Sequence, residues 1–228
     1  MNNSREILQN VIGQVRRVVL GKDACIEKIM MAMLANGHVL MEDIPGVGKT
    51  TMAGAFARAL GLEARRMQFT SDVLPSDITG FSMYRKDLQN FVYQPGAVFC
   101  NLFLADEINR TSPKTQSALL EVMEERQVTV EGVTRQVPQP FMVIATQNPT
   151  GSAGTQMLPE SQMDRFLISL NMGYPELEDE IAILKGRSAG NPLEDLEPVA
   201  DADLLRQMQA ETDQVFVHDV LYEYAAKL

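Results

Sequence analysis

The stretch Glu42-Asp43-Ile44-Pro45-Gly46-Val47-Gly48-Lys49-Thr50-Thr51 constrains this chain more than any other. It follows the short run His38 to Met41 and precedes a helix-forming run, Met52 to Leu60. A strand, a glycine-rich turn ending in Gly-Lys-Thr and then a helix is the setting that a phosphate-binding loop requires. Gly46 and Gly48 let the backbone turn and approach a ligand closely. The first N–H groups of the following helix lack intrahelical acceptors and can bind phosphate oxygens. In such a loop Lys49 reaches the β- and γ-phosphates, and the Thr50 hydroxyl can hold Mg²⁺. The candidate nucleotide-binding residues here are Pro45, Gly46, Val47, Gly48, Lys49, Thr50 and Thr51. The full loop pattern would place glycine where Asp43 stands, at the outermost position, which phosphate approach constrains least. The bland alternative is a glycine-rich turn at a helix start, and the strand–loop–helix context argues against it.

At 228 residues the chain suits one large domain or one and a half. Its apolar share of 45% is ordinary for a protein with a real core. No apolar run approaches the ~18–20 residues needed to span a bilayer. The N-terminus reads as an amphipathic helix rather than a signal peptide. Cys25 and Cys100 are far apart, with only His38 and His218 beside them, so neither a zinc site nor a disulfide framework is expected. Cytoplasm is the expected location. A net charge of −10 argues against a surface built to grip nucleic acid. Arg16-Arg17 and Arg65-Arg66 are too short to make a basic patch, and the acid between Glu176 and Glu197 reads as solvated helix faces and a linker.

Along the chain, apolar spacing predicts a helix over 4–18, then a second from an Asp23 N-cap to about Asn36. Its Met-rich centre, Met30 to Leu34, reads as core packing. Strands are expected at 39–41, 64–69, 102–105, 141–145 and 167–170. Residues 70–97 read as irregular, with a small hairpin pairing Phe81–Tyr84 with Phe91–Tyr93. Pro113 opens a helix to about Glu125, and 128–137 makes a second hairpin turning at Glu131-Gly132. Strands alternating with helices mean an α/β fold with a doubly wound parallel sheet. After Gly173-Tyr174-Pro175 only helical patterns remain: 176–188, about 201–213, and 218 to the end. That division gives two domains, 1–172 and a helical 173–228. The last helix stops without a C-cap, which reads as a truncated end.

The wholly apolar run Leu102 to Ala105 ends in Asp106-Glu107. Acids at the C-terminal end of a strand beside a phosphate loop lie where ligands collect in parallel sheets. Asp106 is placed to hold Mg²⁺ through water, and Glu107 to polarise an attacking water. Asn148, at the tip of the next apolar strand, could bond the γ-phosphate or that water, or simply start an Asn-Pro turn. Arg165, after Asp164, reads either as a structural ion pair or as an arginine finger serving a neighbouring subunit, worth about 10³–10⁵ in rate where it occurs.

The ordered set EDIPGVGKTT, FLADEINRTSPKTQSALLEVMEE, RQVTVEG, VIATQNP, LPESQMDRF and GYP resembles the MoxR family of AAA+ ATPases, over nearly the whole chain from Val19. The resemblance implies an AAA+ P-loop NTPase fold: a five-stranded parallel sheet between helices, followed by a small helical lid. It also implies ATP or ADP with Mg²⁺ at subunit junctions of a ring, usually a hexamer. By that resemblance Lys49 and Thr50 fall on Walker A, Asp106 and Glu107 on Walker B, Asn148 on sensor 1 and Arg165 on the arginine finger. Gly21 matches the segment bordering the adenine, and Ser76 to Gln94 the insertion in helix 2, which faces the pore or partner in such rings. No residue before Leu228 matches the family's second sensor arginine, which again reads as truncation. Members resemble assembly chaperones that act with a von Willebrand factor A domain protein on a client complex.

Two functional classes follow: an ATP-hydrolysing remodelling motor, or a nucleotide-gated scaffold whose turnover is incidental. A P-loop kinase is disfavoured, because Glu107 with Asn148 suits water as acceptor. A DNA-dependent AAA+ motor is disfavoured by the acidic balance; Arg85 and Lys86 on the first hairpin are the only candidates to touch a strand, and as exposed turn residues they read rather as solubilising it.

Overall fold

A computed structural model describes residues 2–42, 46–148, 157–187 and 191–227. The elements, in order, are α1 (Asn2–Val18), α2 (Asp23–Leu34), β1 (Val39–Glu42), α3 (Lys49–Ala59), β2 (Ala64–Gln68), α4 (Pro75–Thr79), β3 (Gly80–Arg85) and β4 (Asn90–Pro95). They continue with β5 (Leu102–Asp106), a 3₁₀ turn (Ile108–Arg110), α5 (Pro113–Glu125), β6 (Gln127–Val130), β7 (Val133–Gln136) and β8 (Met142–Gln147). The last are α6 (Glu160–Met163), β9 (Ile168–Leu170), α7 (Leu177–Arg187), α8 (Ala202–Asp213) and α9 (Asp219–Ala225).

The five expected strands form one parallel sheet in the order β2-β5-β8-β1-β9. The pleat sends alternate residues to opposite faces, so each inner strand divides its side chains between two cores. Val39, Met41, Leu102, Leu104, Met142 and Ile144 pack with α1, α2 and α3. Leu40, Phe103, Ala105, Val143 and Ala145 face the other way, toward α5. The three inner strands are buried on both faces, which is why they read as unbroken apolar runs. Edge strand β2 is largely exposed and carries two arginines.

Some local expectations change. Asp23 is the first residue of α2 rather than its cap; Lys22 holds the cap position, and the Asp23 carboxylate pairs with Arg16. Pro113 does open α5, capped by the Ser112 hydroxyl. Residues 70–97 contain a short helix, α4, that the irregular reading missed. Its start is secured by the Asp77 carboxylate, which accepts the Leu74 N–H at 2.8 Å. Both hairpins form, and Arg135 of the second stacks its guanidinium 3.8 Å from the ring centre of Tyr93 on the first. Arg85 is ion-paired to Asp87 at 2.6 Å, which explains its place on the hairpin without a nucleic-acid strand.

Helix α8 is tied to the sheet-bearing part of the chain. Leu205 and Met208 enter the α1–α3 core, and Gln209 donates to the Met33 carbonyl at 2.7 Å. Cys25 Sγ donates to the Asn171 carbonyl at 3.7 Å, and burial pushes the Cys100 thiol up to about 12. Among the described residues no helix is long and apolar enough to cross a membrane.

Candidate active site

The parallel register sets the C-terminal ends of β1, β8 and β5 along one edge. Leu40 aligns with Ala145, and Ala145 with Ala105, so Glu42, Gln147 and Asp106 end their strands side by side. Loop, acids and Asn148 therefore leave the sheet at the same edge, the one at which parallel sheets bind ligands. Pro45 lies outside the described residues, as do Asp43, Pro149 and the loop 150–156.

Gly46 (φ 91°) and Gly48 (φ 97°) both occupy left-handed backbone, and Gly48 is the residue before α3. A Cβ at either would meet nothing within 4 Å, so glycine is required there by dihedral angle rather than by crowding. Val47 leans on the core, Lys49 is 8% exposed at the first position of α3, Thr50 is exposed and Thr51 half-buried. The N-terminal turn of an eleven-residue helix thus begins directly after Gly48.

Asp106 ends β5 with both oxygens engaged. Thr146 Oγ1 donates to Oδ1 at 2.7 Å, and Arg66 Nη2 of β2 donates to Oδ2 at 2.6 Å. Glu107 has left-handed backbone (φ 56°), an uncommon state for a residue with a side chain. Its N–H donates to Thr146 Oγ1 at 2.8 Å, and its Oε2 accepts from Arg110 at 2.6 Å. Asn109 is fully buried, and its amide donates to the Asn148 carbonyl at 3.4 Å while its Oδ1 has no partner among the described residues. Asn148 itself is half-buried. On β1, the Glu42 carboxylate accepts from Gln147 at 2.5 Å and from Ser169 at 3.1 Å.

Arg165 is not brought to this edge. It follows α6 and pairs with Glu124 near the C-terminal end of α5. That end of α5 sits at the opposite edge of the sheet: the Met123 carbonyl bonds the His38 ring just ahead of β1, and the Leu167 N–H bonds the His38 carbonyl. Gly21 (φ 68°) lies in the α1–α2 turn, where a Cβ would collide with the Asp179 carboxylate of α7. Beside it Lys22, 9% exposed, donates to the Met172 and Tyr174 carbonyls at 2.7 Å each, fastening the chain between β9 and α7.

The donor chemistry fits Mg²⁺. No group of three or more His, Cys, Asp or Glu among the described residues could cage a metal. One carboxylate and one hydroxyl beside a phosphate loop is how this hard, reluctantly dehydrated cation is held with a nucleotide. Sequence reasoning gave no role to Thr146, Arg66, Arg110 or Asn109. Thr146 stood inside a quoted motif, but nothing local marks a hydroxyl whose two partners lie about forty residues back.

A family model described as "ATPase family associated with various cellular activities (AAA)" matches residues 38–168. The Bacillus subtilis protein YeaC, uncharacterized, is 48% identical over 222 residues, covering 97% of this chain and 69% of its own length. Chaperone MoxR1 of Mycobacterium tuberculosis is 42% identical over 221 residues, covering 97% of this chain and 58% of that protein. A crystal structure from Cytophaga hutchinsonii, provisionally described as an ATPase, superposes with a TM-score of 0.91 at 35% identity. That match covers 99% of this chain and 68% of the other.

Proposed function

The chain belongs to the MoxR family of AAA+ ATPases, and from that premise we propose that it hydrolyses ATP with Mg²⁺ at the common strand edge, as one subunit of a ring that remodels a partner complex. The supporting observation is the register that ends β1, β8 and β5 at one edge, with Glu42 opposite Gln147 and Asp106 beside Thr146, so that the acids and Asn148 follow from that edge.

In this reading the backbone from Gly46 to Thr51 and the Lys49 ammonium grip the phosphates, with Pro45 on the same loop. Thr50 and Asp106 hold Mg²⁺, which when bound offsets charge on the β- and γ-phosphate oxygens. Glu107 orients and polarises the water whose oxygen forms the new bond to the γ-phosphorus as the bridging oxygen leaves with ADP. Asn148 steadies that water or the γ-phosphate, and Gly21 borders the adenine. Arg165 serves the next subunit's site; its position at the far edge of its own sheet suits service in trans. The division at 172/173 into nucleotide domain and helical lid is part of the same proposal, with Lys22 fastening the connection.

The relative named Chaperone MoxR1 supports a chaperone role. A hexameric ring, a von Willebrand factor A domain partner, a client complex and a cytoplasmic location complete the reading. The β3–β4 hairpin, with Phe81, Met83, Tyr84, Leu88 and Phe91 exposed, is the surface offered to them. One observation favours a slower, switch-like protein: Asp106 and Glu107 are both tied to arginines. The deciding experiment measures ATPase rate per subunit against protein concentration for wild type and Arg165→Ala. A rate that climbs with concentration and is lost in the variant supports shared sites; a flat rate and a silent variant overturn the ring motor.

A further inference from the structure

Thr146 is completely buried on β8, two residues before Asn148. Its single hydroxyl both donates and accepts. It donates its proton to Asp106 Oδ1 at 2.7 Å and accepts the Glu107 N–H at 2.8 Å. The two bonds set each other's direction, because a proton committed to the carboxylate leaves a lone pair facing the amide.

The strand order explains why a residue of β8 does this. β8 lies between β5 and β1, so a polar side chain at its C-terminal end stands between the acids and the phosphate loop. The hydroxyl supports two costly features at once. One is the Asp106 carboxylate, whose side chain is only 13% exposed. The other is the left-handed backbone of Glu107, which persists only where the surroundings over-determine it. Removing the hydroxyl leaves a part-buried amide without its acceptor and a carboxylate oxygen without its donor.

We propose that Thr146 is the positioning residue of the Mg²⁺–nucleotide site, locking the Asp106 carboxylate and the Glu107 backbone into one arrangement. It touches neither nucleotide nor water; it acts through the two acids. The inference rests on the reading of Asp106 as the Mg²⁺-holding acid. It deepens that reading by naming what orients the acid and why Glu107 projects from a turned backbone.

The test titrates Mg²⁺ against binding of a fluorescent, non-hydrolysable ATP analogue, for wild type, Thr146→Val and Thr146→Ser. The near-isosteric valine should bind the analogue in EDTA as wild type does, yet need roughly tenfold more Mg²⁺ for the half-maximal gain, as loss of a bond to a charged group implies. Serine should restore the wild-type midpoint. In an Asp106→Asn background Thr146→Val should shift the midpoint no further, whereas a purely structural defect would add its effect on either background. An unchanged midpoint in Thr146→Val overturns the inference while leaving Asp106 in its role. A wild type whose binding ignores Mg²⁺ overturns the Asp106 reading itself, and the inference with it. Hydrogen exchange on the wild-type protein is decisive even if the valine variant does not fold. The Glu107 amide should exchange slowly, and exchange at the rate of an open loop overturns the inference.

Discussion

Arg110 Nη1 lies 2.6 Å from Oε2 of Glu107, three residues back along the chain. The pair exists because the left-handed backbone at Glu107 starts the 3₁₀ turn that brings Arg110 round to it. Arg110 is about half exposed, so the pair is held in the weak range of solvent-screened ion pairs. Arg66 does the same to Asp106 from the edge strand.

If Arg110 draws Glu107 off the attacking water, Arg110→Ala should raise the basal ATPase rate by roughly threefold, the scale of a screened ion pair, with nucleotide affinity unchanged. Steady-state phosphate release beside a binding titration checks it. A lowered rate would show that Arg110 presents Glu107 rather than restraining it.

Lys49→Ala and Glu107→Gln should separate binding from turnover. Loss of the Lys49 ammonium removes a charged hydrogen-bond donor and should weaken ATP binding by roughly 10–100-fold. Glu107→Gln should bind ATP normally and lose on the order of 10²-fold or more in turnover. Normal turnover in Glu107→Gln would remove Glu107 from its role.

Two glycines should fail differently. Gly46→Ala meets no atom, so its strain is local, of about 1–2 kcal/mol, and nucleotide binding should suffer more than the melting temperature. A Cβ at Gly96 would lie 2.1 Å from the Ile78 carbonyl oxygen and 2.4 Å from the Gly80 nitrogen, both backbone atoms that cannot step aside. Gly96→Ala should therefore cost about 1–3 kcal/mol of stability, read as a lowered melting temperature.

Below neutral pH, His38 should make the protein acid-sensitive. Its Nδ1 accepts the Val143 N–H at 2.9 Å, so Nε2 carries the proton donated to the Met123 carbonyl at 3.0 Å. Burial, aided by the Arg126 charge and partly offset by the Met123 bond, lowers its pKa from 6.5 to about 4. Between those values the unfolded chain binds a proton that the folded one refuses, so stability falls as pH drops through this window. Between pH 7 and pH 5 the loss from this residue should be about 2 kcal/mol. Urea midpoints at the two pH values should differ less in His38→Gln; an equal difference would refute the assignment.

Much of the architecture was legible because the informative signals are local. Leu102 to Ala105 and Phe141 to Ala145 announced themselves as inner strands, since a strand covered on both faces has no polar side to show. The loop from Gly46 to Thr50 was equally plain, because its dihedral demands and helix start lie within a few residues. Helix α4 escaped notice: five residues are too few for an apolar period, although Pro75 and Asp77 mark its first turn. Asp23 misled because a good capping residue is also a good first-turn residue, and the Arg16 pair drew it inside the helix.

The sequence by itself determined which residues could do the chemistry: a loop that turns at glycine, a helix that starts at Lys49, and a buried strand that ends in two acids. Only the tertiary structure decided how those acids are held. Once β8 lies between β5 and β1, Thr146 stands within hydrogen-bond reach of both Asp106 and Glu107, and Arg66 arrives from the neighbouring edge strand. The same folding carries Arg165 to the other end of α5. The reason is physical: hydrogen bonds and ion pairs act over about 3 Å, and which distant residues come that close is fixed by strand order and register.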